Sequence, residues 1–216
     1  MVSIVSLLPS GTEWIYALGL ENSLAGVTFE CDHPAGARGR HAVVVYGLPT
    51  DGLAPGEIDA AVQARAAAGQ PLYTLDSDAL ARIAPDVVVT QDLCRVCALP
   101  ADDVANAIDR VGCPSRVVTL DPHRLDDVLD GAVTVAAAAG VEDKGRRLRG
   151  ELSARLDRVA GRIRGLRRPR VLVIEWTDPP YLAGHWIPDM VDAAGGQAIL
   201  AEPGGRSVST TWPALG

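Results

Sequence analysis

The sequence contains few aromatic residues, almost no lysine and no long hydrophobic run. Aromatic side chains make up 4% of the 216 residues, so their concentration in a few segments is informative. No apolar run approaches the ~20 residues of a membrane-spanning helix. Residues 1–8 also lack the basic segment and small-residue cleavage site of a signal peptide. These absences predict a cytoplasmic protein, or a periplasmic or cell-surface one if an export signal was removed.

The charge of the chain argues against nucleic acid as a partner. The formal net charge is −7, which disfavours a polyanionic ligand, and we expect no nucleic-acid binding. Basic residues concentrate between Lys144 and Arg170, where we predict a solvated helix face. The four cysteines do not form the dense disulfide framework of a small secreted domain.

Strand and helix patterns alternate through the first half of the chain. Short apolar runs predict strands of a buried parallel sheet at residues 2–8, 24–28, 72–75, 86–90 and 116–120. Helices are predicted at residues 10–18, 57–68, 77–84 and 101–111. Ser10 and Glu13 have the spacing of a capping box, with Ser10 as the cap. Residues 29–55, rich in Gly, Pro and His, are predicted to be a long loop, and residues 1–122 a doubly wound α/β lobe.

Long helical patterns follow this predicted lobe. Residues 125–139 form one predicted helix and residues 142–165 a second, whose apolar residues step by threes and fours. At 1.5 Å per residue the second helix would span about 36 Å. We therefore predict that residues 123–168 form a stiff backbone region rather than a flexible linker.

The last part of the chain carries few further elements. We predict a strand at residues 170–175, a loop at residues 176–186 and a helix at residues 187–194. These are too few to close a sheet, so residues 169–216 are predicted to be a partial C-terminal α/β lobe. An unfilled apolar face on such a lobe predicts a homodimer formed through it.

Unusual residues collect where the predicted strands end. In open α/β sheets, ligands bind beyond the carboxyl ends of the strands. The segments at these ends are residues 9–10, 29–33, 91–97, 121–123 and 176–181. Tryptophan and tyrosine side chains lie in or beside the late loops, and such side chains suit a large, flat, mostly apolar ligand. We therefore predict binding rather than catalysis.

The cysteines leave a different class of function open. Cys94 and Cys97 form a C-x-x-C pair, and Cys31 and His33 are weak candidates for the other ligands of a metal site. A metal- or thiol-dependent enzyme using these four residues is therefore an alternative, although ordinary loop or buried cysteines are favoured. Ser10 lacks the G-x-S-x-G context of a nucleophile, and no nucleotide-binding motif is present.

Several motifs resemble those of helical-backbone (class III) substrate-binding proteins of ABC importers, in the cobalamin-binding branch. They are IVSLLPSGTE at residues 4–13, ECDHP at 30–34, VVTQDLC at 88–94, DPPY at 178–181, GHW at 184–186, GG at 195–196 and TWP at 211–213. The motifs run in order through nearly the whole chain. The family also includes iron-siderophore and haem receptors.

The resemblance implies a fold and a function. The fold would be α/β, with two Rossmann-like parallel-sheet lobes joined by a long rigid helix and an incomplete C-terminal lobe. The protein would hold cobalamin or a related corrinoid in the cleft between the lobes, without catalysis, and would work with an ABC importer permease. An iron-siderophore or haem ligand on the same fold is the alternative. The expected ligand-binding residues are Ser10, Cys31, Asp32, His33, Gln91, Asp92, Trp176, Tyr181, His185, Trp186 and Trp212.

Overall fold

A computed structural model describes residues 2–92, 99 and 101–215 of the chain. These residues group into two compact units. The first comprises Met1–Pro49, Pro71–Asp121 and Asp130–Arg149; the second comprises Thr50–Gln70, Pro122–Leu129 and Gly150–Gly216. Residues 50–70, which fall within the predicted first lobe, thus group with the second unit. The predicted boundaries between the N-terminal lobe, the backbone region and the C-terminal lobe, at residues 122 and 168, stay predictions.

The helices lie close to the predicted positions, except the short helix Ala37–Arg40, which falls within the predicted loop at residues 29–55. They are α1 (Pro9–Ala17), α2 (Ala37–Arg40), α3 (Pro55–Ala67), α4 (Ser77–Ile83), α5 (Ala101–Val111), α6 (Leu125–Ala138), α7 (Glu142–Ile163) and α8 (Ile187–Ala193). The 22 residues of α7 correspond to about 33 Å. No helix among residues 2–92, 99 and 101–215 is long and apolar enough to cross a membrane.

The first unit is built on one six-stranded sheet. Its strands are β1 (Ile4–Ser6), β2 (Leu24–Thr28), β3 (Ala42–Tyr46), β4 (Thr74–Leu75), β5 (Val87–Gln91) and β6 (Arg116–Leu120). The strand order is β4-β3-β2-β1-β5-β6, and every pair is parallel except β3 with β4. This is the doubly wound arrangement that alternating strands and helices predict.

Alternate residues of the central strands point to opposite faces, and helices cover both. Ile4, Val87 and Val89 are buried in the cluster that includes residues of α1 and α6. Val5 and Val88 are buried in a second cluster, with residues of α4 and α5. Burial on both faces explains why these strands are continuous apolar runs in the sequence.

The predicted loop over residues 29–55 is wrong in its middle part. Ala42–Tyr46 forms β3, which pairs in parallel with β2. Val43, Val44 and Val45 are β-branched, and Val44 and Val45 are almost fully buried. The short strand predicted at 72–75 is present as β4, but it pairs antiparallel with β3 at the sheet edge.

The second unit contains two small sheets. Strands β7 (Arg170–Val171) and β10 (Gln197–Ala198) pair in parallel. Strands β8 (Ile174–Thr177), β9 (Pro180–Leu182) and β11 (Val208–Ser209) form an antiparallel sheet in the order β11-β9-β8. The predicted strand at 170–175 is therefore divided between two sheets, and the predicted loop at 176–186 contains a strand. The tight turn at Asp178 and Pro179 reverses the chain between β8 and β9.

Candidate ligand-binding site

The order of the central strands brings the predicted site residues of the first unit to one edge of its sheet. β1 lies between β2 and β5 and is parallel to both, so the segments that follow these three strands are neighbours. Successive strands are added on one side of β1 from β2 to β4 and on the other side for β5 and β6, which makes the carboxyl edge between β1 and β5 the topological switch point where α/β sheets bind ligands. The site residues here are Ser10 after β1, Cys31, Asp32 and His33 after β2, and Gln91 and Asp92 at the end of β5.

Most of these side chains are accessible. Ser10, Asp32, His33 and Asp92 are exposed and Gln91 is half-buried. We call these five residues the strand-end surface. They offer hydroxyl, carboxylate, imidazole and amide groups, which suit hydrogen bonds to the polar periphery of a ligand.

Ser10 does not cap α1, so that prediction is wrong. The helix begins at Pro9, its N-cap residue is Leu8, and no side chain caps it. Proline favours the first helical position because its fixed φ suits the helix and its missing N–H is not needed there. Ser10 therefore lies within the first turn, where its hydroxyl is exposed.

Cys31 differs from its neighbours because its side chain is fully buried. Its Sγ lies 3.1 Å from the Thr12 hydroxyl, which is also buried. Burial raises the pKa of the Cys31 thiol and also that of the half-buried Glu30 carboxyl. As placed, Cys31 joins the loop after β2 to α1 and does not present its thiol to a ligand, in contrast to the prediction from sequence.

The proposed cysteine metal site gains no support from Cys31 and His33. Cys94 and Cys97 lie outside the described residues. Within the described part of the chain, no group of three or more His, Cys, Asp or Glu residues is placed to hold a metal ion. The Cys31 and Cys113 thiols are both free and buried.

In the second unit, the β8–β9 hairpin pairs two predicted aromatic residues. Trp176 and Tyr181 are direct cross-strand partners, so their side chains share one face of the sheet. The Trp176 indole Nε1 donates to the carbonyl of Asp178 at 3.0 Å, which holds the ring over the turn. Both side chains are half-buried.

Trp212 follows the strand that completes this sheet. Ser209 of β11 pairs with Tyr181, and the amide of Thr210 donates to the Pro180 carbonyl at 2.8 Å. Trp212 then begins a short 3-10 turn with 55% of its side chain exposed. We call Trp176, Tyr181 and Trp212 the aromatic surface. These three side chains are aromatic groups of the kind that ligand sites commonly use.

His185 and Trp186 lie between β9 and α8. His185 has a φ of +51°, a left-handed conformation that is unfavourable for a residue with a side chain. Its amide donates to the Gly205 carbonyl at 2.5 Å, and its carbonyl accepts from Gly204 at 2.9 Å. The rings of His185 and Trp186 are 6.0 Å apart between centroids.

Sequence reasoning missed a partner of His185. The His123 ring lies 6.2 Å from the His185 ring between centroids, and both belong to the second unit. The sequence places His123 after β6, at a strand end, which was the available signal. It could not show that His123 meets His185, because the two are far apart in the chain.

A charged pair supports these two histidine loops. The Arg124 guanidinium donates to both carboxylate oxygens of Asp189, at 2.7 Å and 2.8 Å. Asp189 also accepts from the Leu125 amide at 3.0 Å. The hydrogen bond from Arg124 lowers the pKa of the Asp189 carboxyl. Arg124 follows His123 and Asp189 lies in the first turn of α8, so the pair links the two loops.

A second histidine contact lies away from the strand-end surface. The Tyr16 hydroxyl and the His41 Nε2 are 3.0 Å apart. His41 immediately precedes β3 and so lies at the amino end of that strand, the edge opposite the strand-end surface. Burial lowers the pKa of His41. This pair joins α1 to the start of β3 and is structural.

Comparison with known proteins gives matches over nearly the whole chain. The sequence profile of the periplasmic binding protein family matches residues 4–212. A comparison with curated protein sequences finds no match.

Solved structures of similar fold include receptors for tetrapyrroles. The periplasmic haem-binding protein RhuT of Roseiflexus sp. RS-1 is 24% identical, with a TM-score of 0.64 over 91% of this chain and 65% of that one. The periplasmic vitamin B12-binding protein BtuF of Vibrio cholerae is 17% identical, with a TM-score of 0.70 over 99% and 71%. The periplasmic haem-binding protein HutB of Vibrio cholerae is 16% identical, with a TM-score of 0.70 over 99% and 72%. This chain thus spans from just under two thirds to about seven tenths of their lengths.

Proposed function

Because the chain belongs to the periplasmic binding protein family, we propose that it binds a metal tetrapyrrole as the substrate-binding component of an ABC importer. The proposed ligand is cobalamin or a related corrinoid, and the proposed role is binding without catalysis. The partner is an importer permease. The aromatic surface of the second unit is proposed to contact this ligand.

The observation that carries the proposal is the pairing of Trp176 with Tyr181, with Trp212 following the adjoining strand. The chain has four Trp, four Tyr and one Phe, so three aromatic side chains in one small sheet region are a strong local enrichment. A corrin ring has a broad apolar face, and aromatic rings cover such a face with little loss of conformational entropy.

The strand-end surface of the first unit, taken by itself, also offers polar groups that suit such a ligand. Corrinoids carry amide side chains around the ring, which both donate and accept hydrogen bonds. The exposed Ser10, Asp32 and Asp92 and the half-buried Gln91 offer complementary acceptors and donors. The resemblance of residues 4–13, 30–34 and 88–94 to the cobalamin-binding branch supports the same ligand class.

Haem is the second candidate ligand. The haem-binding HutB and the B12-binding BtuF match this chain with the same TM-score of 0.70, so fold likeness does not separate the two. The half-buried His185 beside His123 favours haem as the alternative, because imidazole is a common axial ligand of haem iron. An iron-siderophore receptor on the same fold has weaker support from the residues present.

Substitution of the aromatic surface tests the proposal. We expect Trp176→Ala and Trp212→Ala each to weaken aquocobalamin binding by about tenfold, the factor that corresponds to about 1.4 kcal/mol of lost contact. Isothermal titration calorimetry on each variant measures this. Leu166→Ala is the matched control, because Leu166 is 63% exposed and lies outside both surfaces.

The two outcomes of this experiment are distinct. Weaker binding in both tryptophan variants, with the Leu166 variant unchanged, supports a ligand on the aromatic surface. Unchanged binding in both tryptophan variants contradicts the proposed site. Circular dichroism of each variant shows whether the fold is retained.

A further inference from the structure

The part of α7 that belongs to the second unit carries a row of arginines on its exposed side. Arg155, Arg158 and Arg162 are all exposed. Their spacing of three and four residues places them on one face of the helix. At 1.5 Å per residue the row extends for about 10 Å along the helix axis. We call these three residues the arginine row.

A different face of the same helix packs against the protein. Leu152, Leu156 and Ile163 are half-buried. Their spacing places them about 100° round the helix axis from the arginine row. This apolar stripe attaches the helix to its unit, and the arginine row is left facing solvent.

The arginine row has no acidic partner within the described part of the chain. Arg124, Arg146 and Arg168 each bind an aspartate carboxylate, whereas no guanidinium group of the row makes an ion pair or a hydrogen bond there. Glu151 precedes Arg155 by four residues, a spacing that favours an ion pair on a helix, yet the two do not form one. The positive charge of the row is therefore not neutralised locally.

Helix stability explains only one member of the row. Basic residues near the C-terminus of a helix interact favourably with the helix dipole, and Arg162 lies in the last turn of α7. Arg155 and Arg158 lie more than one turn before the end, where this effect has fallen off. Their presence on the same face as Arg162 therefore needs another explanation.

Small side chains lie beside the arginine row. Ala154 and Gly161 are on the same exposed side, and a Cβ added at Gly161 would meet nothing within 4 Å. Val159 lies on the other flank of the row and is 40% exposed. The three arginine side chains therefore project from a low surface, so their guanidinium groups can contact one flat partner together.

The charge of this region indicates an anionic partner. Residues 155–170 contain seven arginines and one aspartate, although the whole chain has a formal net charge of −7. Burial of unpaired guanidinium groups in an apolar contact is unfavourable, so a partner of the row must carry negative charge. Guanidinium groups bind phosphate oxygens through two parallel hydrogen bonds.

A lipid bilayer fits this face better than an acidic protein does. Lipid phosphates rearrange beneath bound cations, so a straight row on a rigid helix needs no partner of matching shape. An exposed apolar side chain beside basic residues is typical of helices that lie in a membrane interface, and Val159 supplies one. Basic residues near an anionic bilayer are attracted by its surface potential.

We propose that the arginine row binds the phosphate groups of an anionic lipid bilayer and so attaches the second unit to a membrane surface. The contact is peripheral, with α7 lying along the bilayer. This inference goes beyond the proposed function, because binding at the arginine row requires no tetrapyrrole.

Sedimentation with lipid vesicles tests the proposal. The wild-type protein should sediment with vesicles that contain equal amounts of phosphatidylcholine and phosphatidylglycerol, and not with vesicles of phosphatidylcholine alone. About 0.5 M NaCl should release it, because salt screens exposed charges. The combined substitutions Arg155→Gln, Arg158→Gln and Arg162→Gln should lower the vesicle partition coefficient at least tenfold.

A matched control separates the arginine row from net charge. Arg82→Gln, Arg110→Gln and Arg116→Gln together remove the same charge from exposed positions of the first unit. This control variant should retain wild-type vesicle binding. Circular dichroism of both triple variants shows whether the fold is retained.

Several outcomes would overturn the membrane site. They are no sedimentation of the wild type with phosphatidylglycerol vesicles at low salt, retained binding in the arginine-row variant, and an equal loss in the control variant. Binding to poly-L-glutamate that depends on the arginine row, without vesicle binding, would overturn it in favour of an acidic protein. Aquocobalamin affinity should be the same in wild type and the arginine-row variant, so failure of this proposal leaves the proposed function intact.

Discussion

Arg124 and Asp189 are joined by two parallel hydrogen bonds, although 65 positions separate them in the sequence. The Asp189 oxygen that accepts from Arg124 Nε also accepts from the Leu125 amide. The Asp189 side chain therefore binds both a side chain and a backbone group of the segment at the start of α6. A planar guanidinium and a carboxylate fit each other in this geometry, which a lysine cannot reproduce. This pair connects the segments that carry His123 and His185.

Substitution of Asp189 should change how stability depends on pH. The pKa of the Asp189 carboxyl is lowered in the folded state from its ordinary value of 3.8, mainly by the hydrogen bond from Arg124. A lowered pKa contributes stability that is fully present above the ordinary value and is lost as the pH falls through the folded value. Wild type should therefore have a higher free energy of unfolding than Asp189→Asn near neutral pH. This difference should become smaller below about pH 4.

Urea unfolding of both proteins at near-neutral and acidic pH measures this difference. Asp143→Asn is the control, because its partner Arg146 lies one helical turn away on the same exposed surface. A difference between wild type and Asp189→Asn that stays constant into the acid range contradicts the assigned role of the pair.

Gly184→Ala should disrupt the loop next to His185. A Cβ at Gly184 would lie 2.5 Å from backbone atoms of Arg206 and Ser207, which cannot move as a flexible side chain can. We expect a loss of about 1 to 3 kcal/mol in the free energy of unfolding. The same variant should weaken ligand binding, because the Gly204 and Gly205 contacts to His185 lie in the displaced segment. Thermal unfolding and ligand titration measure the two effects, and wild-type values for both would contradict the packing described.

Gly150→Ala should have the opposite effect on stability. Gly150 lies inside α7, and a Cβ added there would meet nothing within 4 Å. Alanine in a helix interior is favoured over glycine by about 0.5 to 1 kcal/mol, since the unfolded chain loses less entropy. Denaturant unfolding should show this gain with ligand affinity unchanged. A loss of stability would mean that this part of α7 is not a continuous, solvent-facing helix.

Cys31 should be unreactive in the folded protein. Its thiol is fully buried beside Thr12, and burial raises its pKa above the ordinary value of 9.0, so little thiolate forms near neutral pH. Iodoacetamide treatment of the native protein should leave the Cys31 peptide unmodified in mass spectrometry, and treatment in urea should modify it. Rapid native labelling of Cys31 would place it on an accessible surface, as a ligand contact or a metal-dependent enzyme requires.

The strong patterns in the sequence predicted most of the first sheet. β5 contains the buried β-branched run at residues 87–90, which is easy to recognise because it is apolar on both faces, and β6 contains the β-branched residues Val117, Val118 and Thr119. The valine run of β3 was missed because Gly, Pro and His residues flank it on both sides, which outweighed its β-branched character. The hairpin of β8 and β9 was missed because a turn with two prolines resembles a loop when the strands on each side are short.

The candidate site was predictable in part, for a physical reason. Strand order follows from parallel topology, so the position of Asp32 and Asp92 at the carboxyl ends of β2 and β5 could be expected. The burial of Cys31 depends on the packing of α1, whose Thr12 contacts it. The proximity of His123 and His185 depends on the left-handed backbone of His185 and on the hydrogen bonds between Arg124 and Asp189. Such contacts between distant segments leave no periodic signal in the sequence.

Titration of the purified protein with aquocobalamin, followed by tryptophan fluorescence, is the most direct test of corrinoid binding. Trp176 and Trp212 lie in the aromatic surface, so a corrin ring bound there quenches their emission. We expect quenching that saturates at one equivalent of ligand. A response that is absent, or that rises without saturation as ligand is added, would contradict corrinoid binding.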